Sequence, residues 1–157
     1  MKLQRTLVCI ASVFIAVGFV TTQASAGGDP PGCTDSEGNS MVIEINALRV
    51  GGRSITSGTS KSTSVTAKAR ILKGTAVSGT TLDTTLTIEA VDGTAVISSS
   101  STGPVRLGVG KGGKGAKLAM AIPQCLTGFI NFVATFAGED AGGDACVGTK
   151  TLRKPCT

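Results

Sequence analysis

The sequence predicts an all-β fold, an antiparallel two-sheet sandwich of seven to eight strands held by two disulfides. Three observations predict it. Beyond residue 40 the apolar residues recur with a period of two, and strong helix formers never gather into a 3.6-residue stripe. Clusters of Gly, Pro, Asp and Ser interrupt that alternation at intervals of about one short strand. An even set of cysteines, Cys33, Cys125, Cys146 and Cys156, follows an N-terminal export segment that contains the fifth, Cys9.

Residues 1–26 have the three parts of a signal peptide. Lys2 and Arg5 give a positive start, Leu7 to Val20 an apolar centre, and Ala24-Ser25-Ala26 a small-residue cleavage site. The apolar centre is shorter than the roughly twenty residues that cross a bilayer as a helix. The expected mature chain therefore starts at Gly27 without a membrane span, in the periplasm or outside the cell, where disulfides persist. Residues 27–40 are expected to be a flexible leader, because Pro30 and Pro31 within Gly27 to Gly32 disfavour a helix.

A single domain is expected over residues 41–157. Met41 to Val50 is its first strand, with Ile43, Ile45 and Ala47 on one face, and Gly51-Gly52 permits a sharp turn after it. Ser54 to Ser64 is rich in Ser, Thr and Gly and predicts a loop or irregular edge. From Ser62 to Leu72, Val65, Ala67, Ala69 and Ile71 point one way and Lys68 and Arg70 the other, the pattern of a half-buried antiparallel strand. Thr80 to Val91 repeats it with Leu82, Leu86 and Ile88 inward, and Asp92-Gly93 predicts a hairpin turn into Thr94 to Ser99. Ser101 to Pro104 predicts a break, followed by a short strand carrying Val105, Leu107 and Val109. Lys111 to Gly115 predicts a turn, and Leu118, Met120 and Ile122 share a face of the next strand, which Pro123 stops. Phe129 to Phe136 and Val147 to Arg153 form the last pair, across a Gly-rich acidic turn. Phe129, Phe132 and Phe136 all read as core.

With these strands laid out, residues 41–153 resemble the secreted bacterial immunoglobulin-like and fibronectin-III-like sandwiches at the level of fold. The closing hairpin, Gly128 to Phe136 with Thr149 to Arg153, looks most like the last two strands of such domains. The core Trp and corner Tyr of antibody domains are absent. The resemblance implies an architecture and carries no function.

Four cysteines allow three pairings. If Phe129 to Phe136 pairs with Val147 to Arg153, Cys125 and Cys156 meet at the open end of the hairpin and Cys146 lies at its turn. At about 3.3 Å per residue, Cys125 and Cys146 are then roughly 30 Å apart, beyond the ~7 Å Cα separation a disulfide tolerates. The hairpin favours Cys125–Cys156 with Cys33–Cys146, in a sandwich whose first strand runs parallel to the last. A different register or a bent strand leaves Cys125–Cys146 with Cys33–Cys156 open. No CxxC spacing marks a redox pair.

Composition excludes more than it selects. The chain carries 15 basic and 10 acidic residues, and removing the export segment leaves thirteen basic against the same ten, too weak an excess for a nucleic-acid partner. There is no His, the commonest general base and transition-metal ligand, so most hydrolase and metalloenzyme mechanisms are unavailable. There is no Trp or Tyr to stack against sugars. No enzyme activity and no cofactor is expected.

Two sites invite a reading. Gly108 to Lys114 has the G-x-x-x-x-G-K spacing of a phosphate-binding loop, but Gly115 stands where a hydroxyl would hold magnesium. Its lysines, Lys111, Lys114 and Lys117, form instead a candidate basic tip for an anionic glycan or surface. Glu139, Asp140 and Asp144 crowd one turn and are candidate calcium ligands, although their spacing departs from the EF-hand pattern. Asp35 and Glu37 are weaker candidates still. The Ser98–Thr102 tract and Ser54–Ser64 read as polar loops and edge protection. The expected function is a secreted or periplasmic, non-enzymatic interaction module that binds a protein through loops or a strand edge. A binder of anionic glycan through the basic loop, or a small secreted enzyme inhibitor, is the alternative.

Overall fold

Alternation of buried and exposed side chains builds the central strands of this molecule. A computed structural model describes residues 33–110 and 112–157; the expected export segment 1–26, residues 27–32 of the expected leader and Lys111 lie outside the described residues. Seven strands follow in order: β1 (Ile43–Val50), β2 (Gly58–Ile71), β3 (Thr81–Asp92), β4 (Ala95–Gly108), β5 (Lys114–Ile122), β6 (Phe129–Glu139) and β7 (Ala145–Pro155). They form a three-stranded sheet, β1-β2-β5, facing a four-stranded sheet, β4-β3-β6-β7, with every neighbouring pair antiparallel. No helix occurs among the described residues.

The inner faces meet along the predicted stripes. Val65, Ala67, Ala69 and Ile71 of β2 lie under Leu86, Ile88 and Ala90 of β3 and Ile130, Phe132 and Phe136 of β6, all fully buried. Small Ala67 and Ala69 of β2 and large Phe132 and Phe136 of β6 belong to the same buried cluster, the mix of sizes that lets two facing layers fill the space between them. β1 runs beside β7 in the same direction at the sandwich edge. Lys150 Nζ donates to the Ile45 carbonyl at 3.1 Å, and Lys154 Nζ to the Gly52 carbonyl at 3.0 Å. The approach is close enough that a Cβ on Gly148 would stand 2.6 Å from Ile43 Cγ2, inside contact distance.

The expected disulfides are both present. Cys33–Cys146 joins the segment before β1 to the start of β7, and Cys125–Cys156 closes the open end of the β6–β7 hairpin, with Cα separations of 4.9 and 6.5 Å. The hairpin register pairs Phe129 with Pro155 and Glu139 with Ala145, so Cys146 does sit at the far end from Cys125.

Five local expectations are corrected. A bulge between Ile45 and Ala47 turns Ile45, Leu48 and Val50 inward, so Ala47 leaves the core face. β2 starts at Gly58, within the segment read as a loop or irregular edge, with its register broken between Gly58 and Ser62, and Ile55 just before it is buried at 1% exposure. The expected break at Ser101 to Pro104 is absent. β4 continues through it as an edge strand, where proline removes no needed ladder bond, and a register shift opposite Thr84 to Leu86 absorbs the irregularity. Phe129 has odd register relative to Phe132 and lies on the outer face, its ring under the Arg153 guanidinium. Finally, Cys33 to Ser40 is folded onto the domain rather than free, closed by a Thr34–Ser40 bridge with Cys33 and Asp35 buried.

Candidate functional site

Three aspartates occupy the two ends of the sandwich, and each grips a distant segment, Asp35 and Asp140 while also closing their own turns. Asp140 accepts from its own turn, Gly142 N and Asp144 N at 2.9 Å, and from Thr34 N at 2.8 Å, 106 residues away. Asp35 accepts from Glu37 N and Asn39 N and from Val77 N, each at 2.9 Å. At the opposite end Asp92 of the β3–β4 hairpin accepts from the backbone N–H groups of Leu126 and Thr127 and from the Thr127 hydroxyl. A carboxylate that accepts several N–H bonds favours its charged form. The Val77 amide first, then Asn39 and Glu37, hold Asp35 down at a pKa of about 2. The Leu126 amide and the Thr127 hydroxyl lower Asp92, and the Thr34 and Asp144 amides lower Asp140.

This geometry reassigns the acidic turn. The Asp140 carboxylate is filled by donors, and Asp140 falls within ligating distance of two other candidate ligands only at Cys33 and Cys146, whose sulfurs are bonded to each other. Glu139, Asp140 and Asp144 are not brought together as one oxygen cluster. An open depression of about 390 Å³ beside this turn is lined by Asp35 and Asp140. Carboxylates held below their ordinary range are poor proton donors near neutral pH. A second open trough, of about 610 Å³, lies against Thr85, Ala137 and Val147 on the outer face of the four-stranded sheet.

The basic tip is also rearranged. Lys114 pairs with Ala69 and Lys117 with Thr66 in unbroken register, three residues apart, so they project from opposite faces of β5. Lys111 lies outside the described residues. What the sheet assembles instead is a set of cations distant in sequence. Arg49 pairs across to Thr66, Thr66 pairs across to Lys117, and Lys68 stands two residues along β2. All three side chains are exposed on the outer face of the three-stranded sheet. Arg70 on the same face is bound to Glu44 at 2.6 Å. The Lys68-x-Arg70 alternation foretold the face, but Arg49 and Lys117 join it only through strand pairing.

The sheet edges form the other candidate surface. β1 guards its edge with Glu44, Arg49 and a bulge, β5 with Lys114 and Lys117, and β7 with Lys150, Arg153, Lys154 and Pro155. Charges, bulges and prolines of this kind are what deter pairing with another chain. β4 differs. From Ser98 to Thr102 it holds no charge, no proline and no bulge, since its register shifts fall on either side of that run, and no strand among the described residues pairs with its far edge.

No protein-family model, curated protein or solved structure matches the chain. Two closed disulfides are the mark of an oxidising, non-cytoplasmic compartment. No helix among the described residues is long and apolar enough to cross a membrane.

Proposed function

We propose that this chain is an exported, non-enzymatic interaction module of the bacterial envelope that takes a strand of a protein partner onto the free edge of β4. The observation that carries this is the unguarded Ser98–Thr102 edge in a molecule whose other three edges are guarded. An added strand gains main-chain hydrogen bonds along its length, and the exposed side chains of β4 set which strands fit. The export segment of residues 1–26 supplies the route, and the two disulfides suit the destination. The immunoglobulin-like assignment is part of the same reading. It is supported by the β1-β2-β5 and β4-β3-β6-β7 order, in which the fourth strand extends the second sheet instead of the first, unlike the constant-type arrangement.

The test is capture of a partner from native envelope and medium fractions by the oxidised 27–157 domain. Ser99→Lys with Ser101→Lys, both on the outer face of β4, should abolish capture and leave the melting temperature unchanged, because neither side chain enters the core. Ala119→Lys on the exposed face of β5 should capture normally. Equal capture by the β4 variant, or no capture by the wild type, would overturn the proposal.

A further inference from the structure

The outer face of the β1-β2-β5 sheet carries a charge that the edge of β4 does not use. Arg49, Thr66 and Lys117 stand in one row across three strands, which places the two cations about 10 Å apart, and Lys68 lies about 7 Å along β2 from the centre of that row. None of the three has a carboxylate partner among the described residues. The acid on the β1 side of this face, Glu44, is taken by Arg70. The opposite sheet differs: its outer face presents Asp83, Glu89 and Glu139 against two cations, Arg106, bound to Asp83 at 2.8 and 2.9 Å, and Arg153, seated over Phe129. The domain is therefore polarised, positive on the three-stranded side.

The ground between these cations is low. Ala47 and Gly115 flank Lys68, and Ala119 and Ala121 extend the same face along β5. One end is closed by the β4–β5 turn, where Arg70 Nη1 donates to the Gly110 carbonyl and Gly113 lies so close to Asn46 that a Cβ there would collide with it. A flat floor, spaced cations and a wall at one end suit an extended anionic chain.

We infer that this face binds an acidic polysaccharide, a polymer with a carboxylate on each repeating sugar, through Arg49, Lys68 and Lys117. Charge complementarity selects an anion. The other described features select the polymer. Of the exposed large apolar residues, Val77, Val96, Leu126 and Val147 lie off the three-stranded sheet, and Val42 stands beyond the Glu44–Arg70 pair, so no wedge sits among Arg49, Lys68 and Lys117 to insert into a bilayer. It presents no aromatic ring on which nucleic-acid bases would stack, and for the same reason its hold on a sugar polymer is through the carboxylates rather than the ring faces. This site is separate from the β4 edge and stands or falls independently of it.

The test uses oligogalacturonate as the probe, titrated into the oxidised 27–157 domain and followed by calorimetry and by amide chemical shifts. Binding is expected at low ionic strength, weakening steeply as salt rises, with shifts centred on Arg49, Thr66, Lys68 and Lys117. Arg49→Glu with Lys117→Glu should weaken affinity at least about tenfold. Arg49→Lys should keep most of it, and Ser99→Lys all of it. The altered side chains are exposed, and an unchanged melting temperature confirms the fold. No binding at low salt, shifts centred elsewhere, or affinity unaffected by charge reversal would overturn the inference. Equal salt-sensitive binding to vesicles containing phosphatidylserine would overturn the polysaccharide in favour of a general anionic surface.

Discussion

Asp35, Asp92 and Asp140 hold the loops of this molecule by one device, a buried carboxylate that accepts backbone N–H bonds from a remote segment, joined at Asp35 and Asp140 by donors from their own turn. Each folded pKa lies below the ordinary value of 3.8. The stability they contribute is therefore complete above about pH 4 and is lost as pH falls through the folded values, which for Asp35 is about 2. Thermal melts from pH 7 to pH 2 should show a plateau and then a decline beginning near pH 4. Asp35→Asn should melt lower at pH 7 and decline less on acidification. A variant with the wild-type acid slope would show that the latch is not ionic. The sequence offered little warning of this device. Asp92 was legible as a turn residue through Asp92-Gly93, and Asp140 as one of three acids crowded in a turn. Their second partners, Leu126 and Thr34, are 34 and 106 residues away, and no local pattern encodes such contacts.

At the level of single strands, alternation read correctly wherever a strand had one dry face. β2, β3, β5 and β6 show it, with Val65 to Ile71, Leu82 to Ala90, Met120 with Ile122, and Ile130 to Phe136 buried as expected. It failed on β4, because an edge strand buries little and Ser98, Ser100 and Thr102 occupy positions that would be apolar in a central strand. It failed again on β1, where a bulge reverses the face halfway along. Glycine at 148 was equally mute in sequence, yet it lets β7 pass against Ile43 of β1. Gly148→Val should cost about 1–3 kcal/mol by overpacking, read as a lower urea midpoint with unchanged slope. Because the clash falls between the two sheets at their edge, amide exchange should rise first in β1 and the start of β7. A neutral substitution would mean that the β1–β7 approach is loose in solution.

Over the whole molecule, the two disulfides define the topology that folding must reach. Cys33–Cys146 spans 113 residues and encloses almost the entire domain, whereas Cys125–Cys156 spans 31 and encloses only the last hairpin. Loop-closure entropy alone assigns about 4–5 kcal/mol to the first and about 3–4 to the second. A domain of this length has a net stability of only about 5–15 kcal/mol, so either bond is a large share of it. The two ends are not otherwise equivalent. Near Cys33, the Asp140–Thr34 and Asp35–Val77 contacts hold the same segment that the disulfide holds. Near Cys156, the Cys156 and Thr157 amides bond to the Gly128 and Ile55 carbonyls. Neutral-pH urea unfolding of Cys33→Ala with Cys146→Ala, and of Cys125→Ala with Cys156→Ala, should therefore give the larger loss for the first pair. As the pH falls from 4 towards 2 that difference should widen, because the aspartate latches that support the same segment lose their charge as the pH passes through their folded pKa values, and the disulfide becomes its remaining tether. Equal losses at both pH values would mean that the bonds act through local native contacts rather than through the reach of the chain they close.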